Sequence, residues 1–348
     1  MDLPSVKDLD VANKKVLLRT NYDVPLTVDG RVADETRIEE SLSTINYLLK
    51  QKAKVIIITH LDRPGGKPVP GLSLKPVVER LKVMLDKTKI DFSQEILGEK
   101  TKRMTAELAP KAILVLENLR FDSDETDNDE KFAQGLADLA DCFINDAFAV
   151  SHRQHASIVG IPKFLPSAFG FDFLEEIQVL SKIRENPKRP VVIILGGVKK
   201  SKIKAAQKLT SWADYILVGG ELVEYNGIPK MVGYHRKILG SLTKTGEDIT
   251  IETVKKFKEA IAQAKTIVWS GPVGAFEEKK FERGTREIAR AVVESGAYAV
   301  VGGGDTEAAL TKFGLVNKVD YISSGGGAML AFLAEGTLPG IEAIKGGQ

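Results

Sequence analysis

The sequence holds a single cysteine, Cys142, so no internal disulfide and no cysteine cage for a metal can form. It sits in the apolar stretch ADCFIND, where a thiol reads as a small, inert core residue. Long apolar runs are missing as well. The longest are about strand length, well short of the ~18 residues that a membrane helix needs. The first ten residues, MDLPSVKDLD, are acidic and carry no apolar leader region. No charge sign dominates: 49 basic residues face 47 acidic ones, a net of +2. That balance gives no footprint for nucleic acid or an anionic membrane. Neither Gly-x-x-x-x-Gly-Lys-Ser/Thr nor Gly-x-Gly-x-x-Gly occurs, which argues against P-loop kinases and ordinary dinucleotide binders. No internal repeat is visible. These absences leave a cytoplasmic enzyme working on small molecules as the expectation.

What is present is a regular alternation of strand-like and helix-like runs over 348 residues, a length comfortable for two domains. IEESLSTINYLLKQK places Ile38, Leu42, Ile45, Leu48 and Leu49 on one helical face. KVIIITH reads as a fully buried strand, SLKPVVERLKVMLDK as a helix, AILVLEN as a strand, DEKFAQGLADLAD as a helix and CFINDAF as a strand. Such alternation predicts an α/β fold with two doubly wound, mainly parallel sheets. The stretch from Phe164 to Pro190 interrupts the rhythm. Its helix FLEEIQVLSKIRE is the natural connector between domains. The expected division is 1–166, a connector at 167–187, a second domain at 188–334 and a tail at 335–348. The tail carries Pro339 and Gly340, so it cannot continue the preceding helix.

The chemistry lies at the strand ends, and the halves differ. In the first half the strands run into Arg19, His60 and Arg63, Arg120, and His152 and Arg153, with Arg37 in the loop region after the first. Ligands of open α/β sheets bind outside the carboxyl ends of the strands, and arginine forks grip phosphate or carboxylate. One arginine of this kind reads as a surface ion pair; four successive strands ending this way read as a site for a small polyanion. His155 reads as a structural histidine. In the second half the strands run into glycine: Gly196-Gly197, Gly219-Gly220, Gly302 to Gly304 followed by Asp305-Thr306, and Gly325 to Gly327. Glycine lets a phosphate approach the backbone, and a helix start favours the anion. Asp305 suits a Mg²⁺ beside a nucleotide, or more blandly a helix N-cap. Lys199, Lys200 and Lys202 follow Gly197. A lysine there can neutralise a transferring phosphoryl group, or simply solvate a helix start. Polyanion forks and phosphate turns in one chain predict phosphoryl transfer.

The motifs RTNYDVPL, ADETRI, THLDRP, LSLKPVVERL, LENLRF, KFLPS, WSGPVGAFE, VGGGDT and SSGGGAMLAFL occur in an order that strongly resembles the phosphoglycerate kinase family. The match covers the first half and the chain from about Ala264 onward. The resemblance implies a two-domain hinge kinase, working as a monomer. It would transfer a phosphoryl group between 1,3-bisphosphoglycerate and ADP, giving 3-phosphoglycerate and ATP with Mg²⁺. It implies a first domain for phosphoglycerate and a second for nucleotide, with the tail returning to the first. Carried over, Arg19, Asn21, Asp23, Arg37, His60, Arg63, Arg120 and Arg153 would bind the phosphoglycerate. Gly197, Lys199, Lys202, Gly220, Glu277, Gly303, Gly304, Asp305 and Thr306 would bind the nucleotide, with Glu277 on the ribose and Asp305 on the metal. Arg37, Lys199, Lys202, Gly326 and Gly327 would act on the transferring group.

The sequence departs from the family pattern at five places. Asn21-Tyr22-Asp23 stands where the family has Asp-Phe-Asn. Asp62 replaces a glycine, and Ser270 an asparagine. The lysine-to-lysine spacing in Lys199-Lys200-Ser201-Lys202 is one residue shorter. The segment from Glu221 to Ile251 is much shorter, removing a helix and a strand that help wall the adenine pocket. These departures leave two alternatives open: a related protein that binds an anionic ligand but transfers poorly, or a kinase of a different acyl phosphate.

Overall fold

The computed structural model describes residues 2–198, 201–225 and 236–347, apart from the side chains at 201, 206 and 236. The chain divides into two compact units, Met1–Gln178 with Leu338–Gln348, and Val179–Thr337.

The first unit is built on a six-stranded sheet in the order β3-β4-β2-β1-β5-β6. Its strands are β1 Lys15–Arg19, β2 Lys54–Ile58, β3 Ile90–Phe92, β4 Ile113–Val115, β5 Cys142–Asn145 and β6 Ser167–Phe169. Every pairing is parallel. Crossover helices therefore cover the faces, and the interiors of the central strands are apolar, Val16–Leu18 in β1 and Val55–Ile58 in β2. The helices are α1 Thr36–Glu40, α2 Leu42–Lys50, α3 Lys75–Met84, α4 Glu99–Ala106, α5 Ser123–Asp127 and α6 Glu130–Ala137. One core cluster joins Val16, Leu18, Val55, Ile57, Ile113 and Ile144 of the strands to Ile38, Ile45, Leu48, Val78 and Leu81 of the helices. Each such side chain contributes about 1.5–3 kcal/mol on burial, which fixes the sheet as a rigid platform for the loops at its edge.

The second unit carries β7 Val191–Leu195, β8 Tyr215–Val218, β9 Arg236–Leu239, β10 Thr266–Ser270, β11 Tyr298–Gly302 and β12 Tyr321–Ser323. They lie in the order β12-β11-β10-β7-β8-β9, again all parallel. Trp269, Phe257, Ile288 and Val292 centre its core. The helix α7 Phe171–Glu185 contains the boundary between the units. It is followed by α8 Ser201–Lys208, α9 Ile251–Ile261, α10 Arg283–Glu294, α11 Gly304–Lys312 and α12 Gly326–Glu335.

Three local features differ from the pattern read in the sequence. The long helix expected after Arg37 is two, broken at Ser41. Its hydroxyl donates to the Ile38 carbonyl at 2.7 Å and meets the Tyr22 hydroxyl at 2.8 Å, a side-chain bond that competes with the helical ladder. Ser167–Phe169, assigned from sequence to the connector, is the edge strand β6. Like β3, it has three residues, too few for a period to show. The tail forms its own helix α13, Pro339–Gly346, with proline in the first turn, where its missing N–H costs nothing. It follows the left-handed Gly336 that ends α12.

Candidate active site

Parallel pairing brings the carboxyl ends of the first sheet to one edge. Arg19, the last residue of β1, is in register with Ile58 of β2 and Asn145 of β5. Its guanidinium is fully buried. The Nε donates to Ser157 Oγ at 2.9 Å, one terminal nitrogen donates to the Thr20 carbonyl, and the other lies 3.1 Å from His60 Nδ1. Its counter-ion is Glu125 of α5, 4.0 Å away and equally buried. Arg120 donates to the Asp62 carbonyl at 2.8 Å. Arg37 donates to the Asp23 carbonyl and lies 4.0 Å from the Asp23 carboxylate. Arg63 is exposed and Arg153 half-buried. Among the described residues, the buried polar atoms at this edge without a partner include the donors Asn21 Nδ2, Arg120 Nε and Arg153 Nε. Buried donors are seldom left unpaired, and three converging in a basic loop cluster suit an anion.

The electrostatics agree. Burial lowers the pKa of Arg19 to about 10, with Glu125 opposing. Burial and then Arg153 lower Arg120 to about 10, and burial and Arg63 lower Arg153. All three remain charged at neutral pH, so the cost of crowding them is left for an anion to relieve. Burial and then Arg19 hold His60 well below its ordinary range. Burial, with Arg120 next, brings His155 to about 3. Both rings are neutral donors or acceptors, not cations.

Two sequence departures acquire a physical reading. Asp62 has φ 55°, a left-handed backbone that glycine adopts freely and Asp tolerates better than most residues. Its N–H donates to Asp23 Oδ1 at 2.8 Å, and its own side chain is exposed. Asn21 and Asp23 lie beyond the end of β1, so loop contacts place them. Asn21 is buried with its amide unpaired. Asp23 sits half-exposed, 3.8 Å from His60 Nε2.

Asn118, which the sequence reading did not single out, organises two of these loops. Its amide accepts from the N–H groups of Leu61 and Arg120 and donates to the carbonyls of Leu61 and Leu72. Glu125 and Ser157 were missed too. Nothing in composition marks a glutamate on a five-residue helix as the partner of an arginine 106 positions earlier.

In the second unit the glycine turns gather at the carboxyl edge of β7, β10, β11 and β12. A Cβ on Gly196 would lie 2.1 Å from the Pro272 carbonyl. One on Gly326 would lie 2.5 Å from the Gly302 carbonyl and 2.8 Å from Ser270 Oγ, so only glycine lets these turns nest. Gly197, Gly220 and Gly303 have φ of 77°, 59° and 101°. Lys202 bridges the turns, donating to the carbonyls of Gly196 at 3.1 Å and Ser270 at 3.2 Å. Thr306 is buried and accepts from the Gly271 N–H at 2.8 Å. Asp305 stands exposed in the first turn of α11, while Gly303 is the N-cap residue; the cap alternative for Asp305 therefore falls away. Gly304 and Gly327 are exposed at the starts of α11 and α12, where N–H groups lack intrahelical partners. Glu277 is exposed, and its carbonyl accepts from Lys312 Nζ at 3.2 Å. Lys199 lies outside the described residues.

Comparison with known proteins converges on one family. A family model described as phosphoglycerate kinase matches residues 6–227 and 230–336, and its interruption falls inside the segment read as shortened. The phosphoglycerate kinase of Finegoldia magna is 39% identical over 393 aligned positions, covering 99% of each chain. That span exceeds the 348 residues here, so the relative carries residues that this chain lacks. The phosphoglycerate kinase of Koribacter versatilis is likewise 39% identical, covering 98% of each chain. Among solved structures, phosphoglycerate kinase from Coxiella burnetii superposes with a TM-score of 0.78 at 31% identity, covering 99% of each chain. The enzyme from Pyrococcus horikoshii OT3 gives 0.83 at 27%, covering 99% of this chain and 98% of its own.

Proposed function

The chain belongs to the phosphoglycerate kinase family, and on that footing we propose how its own residues carry out the transfer. It is a nucleotide-dependent phosphotransferase acting on small molecules. In our reading the first unit holds 3-phosphoglycerate or 1,3-bisphosphoglycerate, and the second holds ADP or ATP. The observation that carries the first assignment is the set of three unpaired buried donors, Asn21 Nδ2, Arg120 Nε and Arg153 Nε. A substrate with a carboxyl and a phosphate group supplies acceptors for all of them. Arg63 and Arg153 grip the distal phosphate, and His60 and Asn21 donate to the end near the reacting carboxyl. Asp23 accepts from the substrate hydroxyl.

Phosphoryl transfer asks little covalent chemistry of the protein; positioning and charge supply most of the rate. In the forward direction a β-phosphate oxygen of ADP attacks the phosphorus of the acyl phosphate. The bond to the carboxyl oxygen breaks, and 3-phosphoglycerate leaves as a carboxylate. No side-chain general base is needed, since both acceptor and leaving group are anions. Arg37 stabilises the charge on the transferring group. In the second unit the backbone N–H groups at the α12 start, Gly326 and Gly327, are donors for phosphate oxygens, with Lys199 and Lys202 neutralising the nucleotide phosphates. Gly197, Gly220, Gly303 and Gly304 let the nucleotide approach the backbone, Thr306 fixes the turn at Gly271, and Glu277 takes the ribose.

Asp305 fits a Mg²⁺ that arrives with the nucleotide. It is one exposed carboxylate in a first helical turn, and among the described residues no cluster of three or more potential metal ligands exists. Mg²⁺ commonly uses one or two carboxylates and fills its other positions with phosphate oxygens and water. When bound, the metal would neutralise phosphate charge.

We read the enzyme as a monomer working in the cytoplasm, as the family resemblance implies. A coupled assay with 1,3-bisphosphoglycerate and ADP tests the reading: purified protein should form ATP. Ligand binding without transfer would favour a catalytically impaired relative instead.

A further inference from the structure

Arg19 is the most buried cation of the first unit, yet it has no face left for a ligand. Its nitrogens are taken by Ser157 Oγ, the Thr20 carbonyl and His60 Nδ1. An arginine so enclosed acts on its neighbours. Ser157 Oγ donates to Glu125 Oε1 at 2.6 Å, and the Ser157 N–H donates to Glu125 Oε2 at 2.9 Å. Both carboxylate oxygens of Glu125 are thus engaged, and the hydroxyl hydrogen is committed. Ser157 Oγ can then only accept from Arg19 Nε, which sets the plane of the guanidinium.

The chemistry of the next contact is decided by arginine's nature. Guanidinium offers donors and no acceptor. His60 Nδ1, 3.1 Å from it, must therefore be the accepting nitrogen. The ring's single hydrogen is then on Nε2, which points at the Asp23 carboxylate 3.8 Å away and into the basic loop cluster. A second proton on His60 would set N–H against N–H. Arg19, Arg37 and Arg120 are cations around the ring and His155 is held neutral, while the carboxylates facing this group are Asp23, and Glu125 behind Arg19.

We propose that Glu125 and Ser157 are positioning residues: acting through Arg19, they lock His60 as the Nε2–H tautomer, a neutral donor aimed into the anion pocket. The idea rests on the substrate reading above for its consequence, but not for its geometry. Donation from a neutral imidazole makes substrate affinity independent of His60 ionisation across the range where a free histidine titrates.

The test is nitrogen-15 NMR of the His60 ring in the full-length protein, without ligand, from pH 5.5 to 8, beside calorimetric titration with 3-phosphoglycerate. Wild type should show one tautomer, protonated at Nε2, unchanged across this range. Ser157→Ala keeps the Glu125–Arg19 pair but removes the bridge. It should give a mixture of tautomers or a titrating ring, with affinity weakened roughly tenfold, as expected for losing a hydrogen bond to a charged group. KM should rise by more than kcat falls. Glu125→Gln should move the ring signal in the same direction and lower thermal stability, since it leaves a buried guanidinium without its anion; Ser157→Ala keeps the test decisive if that variant does not fold. A wild-type ring protonated at Nδ1 or titrating in its ordinary range would overturn the proposal. So would Ser157→Ala with an unchanged ring signal. If Ser157→Ala shifts the signal while wild type does not bind 3-phosphoglycerate, the relay stands and the substrate assignment falls.

Discussion

At the scale of single residues, the site separates groups that hold structure from groups that await a ligand. Arg153 leaves its Nε unpaired while half-buried. Arg153→Ala should weaken 3-phosphoglycerate binding by about 1.5–3 kcal/mol, the usual range for a hydrogen bond to a charged partner, read by calorimetry. Arg37 already neighbours the Asp23 carboxylate at 4.0 Å. If it serves mainly the transferring group, Arg37→Ala should lower kcat on the order of a hundredfold with a smaller change in KM. A raised KM at constant kcat would make it a binding residue alone. Asp62 offers a backbone test. Its φ of 55° means Asp62→Ala should cost about 1 kcal/mol in chemical denaturation. Asp62→Gly should be nearly neutral and, by removing a negative charge, tighten anion binding at low salt.

At the scale of elements, the start of α7 stores a pH dependence. Asp146, just after β5, accepts from the Phe173 N–H at 3.1 Å, so it anchors the first turn of the helix. Burial pushes Asp146 up to about 6. Burial, with Glu40, Asp146, Glu176 and Glu175 nearby, pushes Asp172 up to about 9. Both folded values lie above the unfolded value of 3.8, so folding favours the protonated forms. Their contribution is fully present below about pH 4 and is lost as pH rises through about 6 for Asp146 and toward about 9 for Asp172. Thermal melts should show Tm falling from this source between pH 5 and 9. Asp172→Asn should raise Tm at pH 8.5 and flatten that slope. An unchanged slope in the variant would place the pH dependence elsewhere.

At the scale of the whole molecule, two parallel sheets lie in two compact units, and the proposed function assigns each its own set of anion-binding groups. Each ligand should stabilise the protein by its own concentration relative to its Kd. In thermal shift, Arg153→Ala should lose the response to 3-phosphoglycerate and keep the response to Mg-ADP. The Glu221–Ile251 segment bears on base selectivity: residues 226–235 lie outside the described part, and the family match is interrupted at 228–229. With less wall for the purine and the phosphate turns retained, ADP and GDP should support turnover within about tenfold of each other, since few apolar contacts separate them. A strong preference for ADP in steady-state assays would show that another element closes the pocket.

The sequence by itself determined the layer architecture, because apolar runs such as KVIII and VVIIL bury both faces and alternate with helical periods. It also marked the strand edge at which the proposed site lies, since polar residues follow the strands, and the family, through ordered motifs. Tertiary structure decided what pattern cannot encode. β3 and β6 exist because neighbouring strands offer open hydrogen-bonding edges, not because three residues announce a period. Arg19, read from sequence as a substrate fork, is closed off by Ser157 and His60, residues 138 and 41 positions away. Asp62 keeps a turn that favours glycine because its backbone N–H and carbonyl each find a partner, in Asp23 and Arg120. Local periodicity is written along the chain; the partner of a buried polar group is chosen by packing, which brings together residues that sequence distance does not relate.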